Sequence, residues 1–172
     1  DWGDDVWTLV SDLKIAKDLF QAQLDDFQQT LNDEDMVLCL SSKTNFRKVL
    51  EPTYKANRKK TRKPLGFVAM QDWLKHSYRC FTKQGLEADD CLGILSTMPE
   101  NAGKGITVSD DKDMKTIPGK LYRPQNNELH DISQVEADLG VYMWGLVCDV
   151  TDSNAVLNSY HQKSVATAQD NW

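Results

Sequence analysis

Apolar side chains at Val6, Leu9, Val10, Leu13, Ala16, Phe20, Leu24, Phe27 and Leu31 recur in steps of three and four. That period is one face of a helix, so residues 4–31 are expected to form a long amphipathic helix ended by Asn32 and Asp33. Met36 to Leu40 is a short apolar run after a turn signal, which suits a buried strand. Leu65–His76 reads as a second helix, Arg79–Thr82 as a short strand and Glu87–Met98 as a helix with Cys91, Leu92, Ile94 and Leu95 inward. Gly105–Val108 and Lys120–Tyr122 read as strands, with a turn of helix over Lys112–Ile117 between them. Ser133–Val147 is expected to be a helix, with Ser133 as N-cap and Glu136 at the capping-box position. Strands alternating with helices predict an α/β layered fold with a mainly parallel sheet. In such sheets ligands bind beyond the carboxyl ends of the strands.

Composition adds little until charge is located. The 172 residues are 40% hydrophobic and 27% charged, ordinary for one globular domain. The apolar run Val141–Cys148 is too short to span a bilayer. No basic-then-apolar leader pattern opens the chain, which places the expected location in the cytoplasm. Cys39, Cys80, Cys91 and Cys148 form no C-x-x-C pair and read as thiols of a reducing compartment. His76, His130 and His161 lack the spacing of a zinc site. Net charge is −6, yet the signs are segregated. Residues 43–63 hold nine cations (Lys43, Arg47, Lys48, Lys55, Arg58, Lys59, Lys60, Arg62 and Lys63) against the single acid Glu51. That separation says more about partners than the total does.

The acids gather in three groups. They are Glu87-Ala88-Asp89-Asp90, Asp110-Asp111-Lys112-Asp113 and Asp149-Val150-Thr151-Asp152, each after an apolar segment or at a helix start. If the groups converge, their repulsion needs cations: two charges about 4 Å apart cost roughly 4 kcal/mol at an effective dielectric near 20. Magnesium prefers such oxygen ligands. A pair of ions can activate water and stabilise a leaving oxygen in phosphodiester cleavage. Any single group also reads as a solvated surface or as the acidic first turn of a helix. The segment from Pro52 to Pro64 mixes cations with Tyr54. Lys55 and Arg58, three apart, would share a helical face. Such cations grip phosphates and an adjacent tyrosine stacks on bases, although a solvated loop has the same composition.

Tyr54-Lys55-Ala56-Asn57-Arg58-Lys59, Leu86-Glu87-Ala88-Asp89-Asp90 and Val108-Ser109-Asp110-Asp111-Lys112-Asp113-Met114-Lys115-Thr116-Ile117-Pro118 occur in that order, preceded by Asn45-Phe46-Arg47-Lys48. The ordered set resembles the 5′-to-3′ exonucleases of short-tailed phages, relatives of flap endonucleases and of the nuclease domain of bacterial DNA polymerase I. The resemblance covers roughly residues 4–153. It implies a three-layer PIN-like α/β domain over 1–152 with a mainly parallel central sheet and a basic helical arch at about 44–66. It implies that Glu87, Asp89, Asp90, Asp111, Asp113, Asp149 and Asp152 serve Mg2+, for which Mn2+ substitutes, as two ions. Lys55, Arg58 and Asp111 would be catalytic. Tyr54, Lys55, Arg58, Lys59, Lys60, Arg62 and Lys63 would contact nucleic acid. The implied enzyme is a monomeric Mg-dependent 5′-3′ exodeoxyribonuclease and flap endonuclease. It would act on 5′ ends, flaps and RNA-DNA primer junctions during phage replication in the host cytoplasm.

The chain departs from the family pattern in three places. The first strand, with its Asp-rich metal motif, is expected to precede Asp1. Leu40-Ser41-Ser42-Lys43 carries no carboxylate where a second one often lies. Cys148 replaces a glycine before the third acidic group, and 153–172, expected to be a remnant of the C-terminal helical region, lacks the glycines of a duplex-gripping helix–turn–helix. These departures motivate a rival reading, a non-catalytic homologue that binds branched or single-stranded nucleic acid. A further rival is a small-molecule phosphohydrolase with Asp111 as nucleophile, but such an aspartate belongs after the first strand of its sheet.

Overall fold

The computed structural model describes residues 10–56 and 62–148, with backbone alone over 142–148. It divides into two compact units. Of the described residues, 10–40, 55–56 and 62–81 make up the first, and 41–54 and 82–148 the second.

In the first unit, helix α1 runs Leu13–Leu31. The Asp12 carboxylate accepts the Lys14 and Ile15 N–H groups at 2.9 and 3.1 Å, two of the donors that a helix start leaves unpaired. That cap starts the helix at Leu13, so Val10–Asp12, expected to be helical, are not, and residues 4–9 lie outside the described residues. Asn32 closes α1 in the left-handed conformation (φ 51°), which asparagine tolerates better than most residues. Helix α2 is the single turn Arg47–Leu50, in the second unit, and α3 is Phe67–Ser77. α3 packs on α1. Phe20, Trp73 and Tyr78 meet edge to face, with centroids 5.3 to 6.2 Å apart, a geometry favoured by ring quadrupoles. Strands β1 (Leu38–Cys39) and β2 (Cys80–Phe81) pair in parallel, Leu38 opposite Cys80.

The second unit holds α4 (Ala88–Thr97), β3 (Ile106–Val108), a 3-10 turn over Lys112–Thr116, β4 (Gly119–Arg123), β5 (Glu128–Ile132) and α5 (Gln134–Cys148). The sheet order is β3-β4-β5. β3 and β4 are parallel with Thr107 opposite Leu121, and β4 and β5 antiparallel with Leu121 opposite His130. The sequence reading had no strand at 128–132. Its turn, Pro124–Asn127, closes with Asn127 at φ 52° and the Tyr122 hydroxyl donating to Asn127 Oδ1 at 3.0 Å. The parallel expectation therefore holds for β1–β2 and β3–β4, and β5 adds an antiparallel edge strand. Met114, Leu121, Ile132 and Ala137 form the buried core, with Leu92 and Ile117 packed against it. The expected capping box at α5 is present: Ser133 N–H donates to Glu136 Oε2 at 2.8 Å and Glu136 N–H to Ser133 Oγ at 3.2 Å. No described helix is long and apolar enough to cross a membrane.

Candidate functional site

The start of α4 is built by two chain segments of the second unit laid side by side. Phe46 N–H donates to Gly85 O and Ser42 N–H to Leu86 O, both at 2.9 Å. Ser42 Oγ accepts the Gly85 N–H and Ser41 Oγ the Ala88 N–H. Gly85 takes φ +84°, a conformation that side chains disfavour, and this turn delivers Glu87 to the helix start. Glu87 is the N-cap. Its side chain accepts from the backbone of Asp90, while Asp90 Oδ2 accepts the Glu87 N–H at 2.9 Å. This reciprocal box satisfies two orphan donors and fixes two carboxylates of the first group. Asp89 is exposed, and the next residue, Cys91, is fully buried and anchors the inner face of α4.

Arg47 closes the cluster. It is the one buried charged residue among the described residues, 8% exposed. Its Nη1 and Nη2 donate to Asp90 Oδ2 and Oδ1 at 2.7 and 2.6 Å, a two-pronged bond, and Nη1 lies 3.4 Å from Glu87 Oε2. The Tyr54 hydroxyl donates to the same Glu87 oxygen at 2.8 Å. The guanidinium also sits 4.8 Å from the Phe46 ring centre and 6.0 Å from that of Tyr54, within range of cation–π attraction. Burial opposes the Arg47 charge. The Asp90 hydrogen bonds and charge, with Tyr54 and Glu87 behind them, outweigh it and hold its pKa above the ordinary value.

The second acidic group follows β3. Asp111 is the N-cap of the 3-10 turn, its Oδ1 accepting the Asp113 N–H at 3.0 Å, and both side chains are exposed. Asp110 plays another part. Its Oδ1 accepts the Gln125 N–H at 3.0 Å and its carbonyl accepts from Arg123 Nη2 at 3.1 Å, so it ties the β3 end to the β4–β5 turn. Met114, one residue after Asp113, is buried in the core. α4 packs on β3, and a Cβ placed on Gly93 would lie 3.0 Å from Ile117 Cδ1, just past the 3-10 turn.

Thus Glu87, Asp89, Asp90, Asp111, Asp113 and Tyr54 all belong to the second unit. Lys55, in the left-handed conformation at φ 53°, belongs to the first, as do Arg62 and Lys63, both exposed. The Lys63 ammonium lies 4.4 Å from the Phe67 ring centre. Arg58, Lys59, Lys60, Asp149 and Asp152 lie outside the described residues. The donor set suits a hard cation in kind, since every candidate is a carboxylate. In number it falls short: among the described residues no three or more His, Cys, Asp or Glu are grouped to hold a metal ion. Sequence reasoning passed over Arg47, Ser41, Ser42, Asp110 and Arg123 as site residues. Asn45, whose Oδ1 accepts the Arg47 N–H at 2.9 Å, was the nearest signal that a turn of helix begins there.

Residues 15–140 match the model of the 5′-3′ exonuclease, N-terminal resolvase-like domain. The chain belongs to that family. Among relatives of this exonuclease-family chain, an exonuclease of Escherichia phage T7 is 31% identical over 125 residues, covering 68% of this chain and 42% of the relative. An exodeoxyribonuclease of Enterobacteria phage T3 is also 31% identical over 125 residues, covering 68% of this chain and 41% of the relative. The chain thus spans about two fifths of the length of these two relatives. A phage T5 protein co-crystallised with metal ions superposes with a TM-score of 0.61 at 15% identity, over 78% of this chain and 59% of its own. A phage T5 flap endonuclease in a complex with DNA and metal ions gives 0.56 at 12%, over 78% and 58%. These likenesses show a shared fold, the PIN-like α/β architecture expected from the motifs.

Proposed function

We propose that this chain carries the metal-binding core of a divalent-metal-dependent 5′-3′ exonuclease and flap endonuclease that hydrolyses phosphodiester bonds near 5′ ends. The observation that carries the reading is the match over residues 15–140, which includes both described acidic groups, and both groups belong to one compact unit. All-carboxylate donors suit hard divalent ions; magnesium is the proposed one, with manganese as substitute and two ions as the working number. Glu87, Asp89, Asp111 and Asp113 would hold them, with Asp90 beside them and Asp149 and Asp152 completing the set. When bound, such ions supply an activated water and neutralise charge on the leaving oxygen.

The chain's own residues supply placement. The α4 capping box and the Asp111 cap fix carboxylates in position before substrate arrives, which lowers the reorganisation left for the reaction. Lys55 and Arg58 would meet the scissile phosphate, and Lys59, Lys60, Arg62 and Lys63 would track the backbone. Tyr54, anchored through its hydroxyl, would offer its ring to a base. The substrates would be DNA 5′ ends, flaps and RNA-DNA primer junctions, met by a monomer in the bacterial host cytoplasm.

The test uses the full-length protein with end-labelled duplex and flapped DNA. Cleavage is expected with Mg2+ or Mn2+ and not with chelator. Asp111→Asn should lose at least the ~10–100-fold that removing even an outer-shell partner costs a metal site. Salt-sensitive binding without turnover under all ions would instead establish the non-catalytic homologue.

A further inference from the structure

The buried guanidinium of Arg47 stands where a cation would otherwise be needed. We propose that Arg47 is a resident counter-ion for the α4 carboxylates, and that it competes with a divalent ion for the Asp90 oxygens. The proposal rests on the reading that Glu87–Asp90 serves a metal site.

Three observations carry it. First, both Asp90 oxygens are engaged: Oδ1 by Nη2 at 2.6 Å, and Oδ2 by Nη1 at 2.7 Å and by the Glu87 N–H at 2.9 Å. A magnesium ion binds oxygen at about 2.0–2.1 Å in near-ideal octahedral geometry, and it cannot take lone pairs aimed at a guanidinium without shifting it. Second, Arg47 is buried and braced by the Phe46 ring, so it cannot relax outward as a surface cation does. Any ion seated on Asp90 therefore meets a fixed positive charge. Third, Glu87 is shared. Its Oε2 faces Arg47 at 3.4 Å and takes the Tyr54 hydroxyl at 2.8 Å. The Arg47 guanidinium thus faces two carboxylates, Asp90 and Glu87. The arrangement keeps the carboxylates together without an ion and sets an affinity ceiling for the ion.

The experiment compares wild type, Arg47→Met and Arg47→Lys in the full-length protein. Free Mn2+ is followed by electron paramagnetic resonance, a readout independent of turnover, and melting is followed by circular dichroism with and without Mn2+. Arg47→Met should bind Mn2+ at least tenfold more tightly than wild type. Its ion-free melting temperature should fall, and Mn2+ should close much of the gap. Arg47→Lys keeps a point charge but loses the fork, so its affinity should lie between the two. It carries the test if the Met variant does not fold. A purely structural arginine would lower stability without tightening ion binding. Wild-type or weaker Mn2+ affinity in the folded variants would overturn the competition while leaving the metal site intact. A wild-type protein that binds no Mn2+ would overturn the metal reading itself.

Discussion

Replacing Met114 with alanine tests the link between the core of the second unit and its acidic turn. Met114 is 4% exposed and belongs to a cluster of four buried residues, with Leu92 and Ile117 packed on its edge. It lies inside the 3-10 turn, directly after Asp113 and three residues after the Asp111 cap. Met→Ala in a core costs about 2–5 kcal/mol, the lost transfer energy plus that of the cavity left behind. Ala137 and Leu121 sit on a helix and a strand that cannot readily close on the gap, so about 3 kcal/mol is expected. For a chain of this length that is about 6–12 °C of melting temperature. Urea denaturation followed by circular dichroism measures it. Met114→Leu, which nearly conserves volume, should stay below about 1.5 kcal/mol. Asp113→Asn, at an exposed position, should stay within about 0.5 kcal/mol. On the proposed function, cleavage assayed where all variants are folded should still fall in Met114→Ala, because misplacing a catalytic group by 1 Å can cost on the order of 100-fold. A loss below about 1 kcal/mol in Met114→Ala would refute the claim that this side chain pins the turn.

Two further outcomes follow from titratable groups. The Ser133 N–H and hydroxyl hold the Glu136 carboxyl below its ordinary value. A depressed folded pKa gives stability that is full above the unfolded value of about 4.3 and is lost as pH falls through the folded one. Glu136→Gln should therefore flatten the decline of melting temperature below pH 5, and parallel curves for the two proteins from pH 6 to pH 3 would contradict this. Burial pushes the Cys91 thiol up, and the residue is fully enclosed. Pulsed iodoacetamide at pH 8 with peptide mass mapping should leave Cys91 unlabelled in the native protein and label it in urea, whereas native labelling at the unfolded rate would show that α4 opens.

Much of this architecture was legible because it is local. Helix periodicity located α1, α3, α4 and α5, and residue chemistry marked the capping box at Ser133–Glu136. β5 escaped because its pattern is weak: Leu129 is exposed and only Ile132 is buried, so it has little alternating apolar signal and is held by pairing with β4. The acidic groups were visible as composition, but their different tasks were not. Nothing in the string Phe46-Arg47-Lys48 separates the buried arginine from the eight other cations of residues 43–63. Its partner Asp90 lies 43 positions away, and only folding makes that neighbour known. Likewise Ser41 and Ser42 look like a missing-carboxylate defect until their hydroxyls are seen accepting N–H groups at the α4 start.

The bonds of Asp110 give its carboxylate a mason's role within a run of acids. Because its side chain and carbonyl fasten the β4–β5 turn, lengthening or shortening Pro124–Asn127 would tug on the segment that presents Asp111. On the proposed function, a remodelled hairpin would thus alter how the acids meet a phosphate without any change in the acids themselves. The length of that bend is thus a lever on the acidic turn that leaves its side-chain chemistry intact.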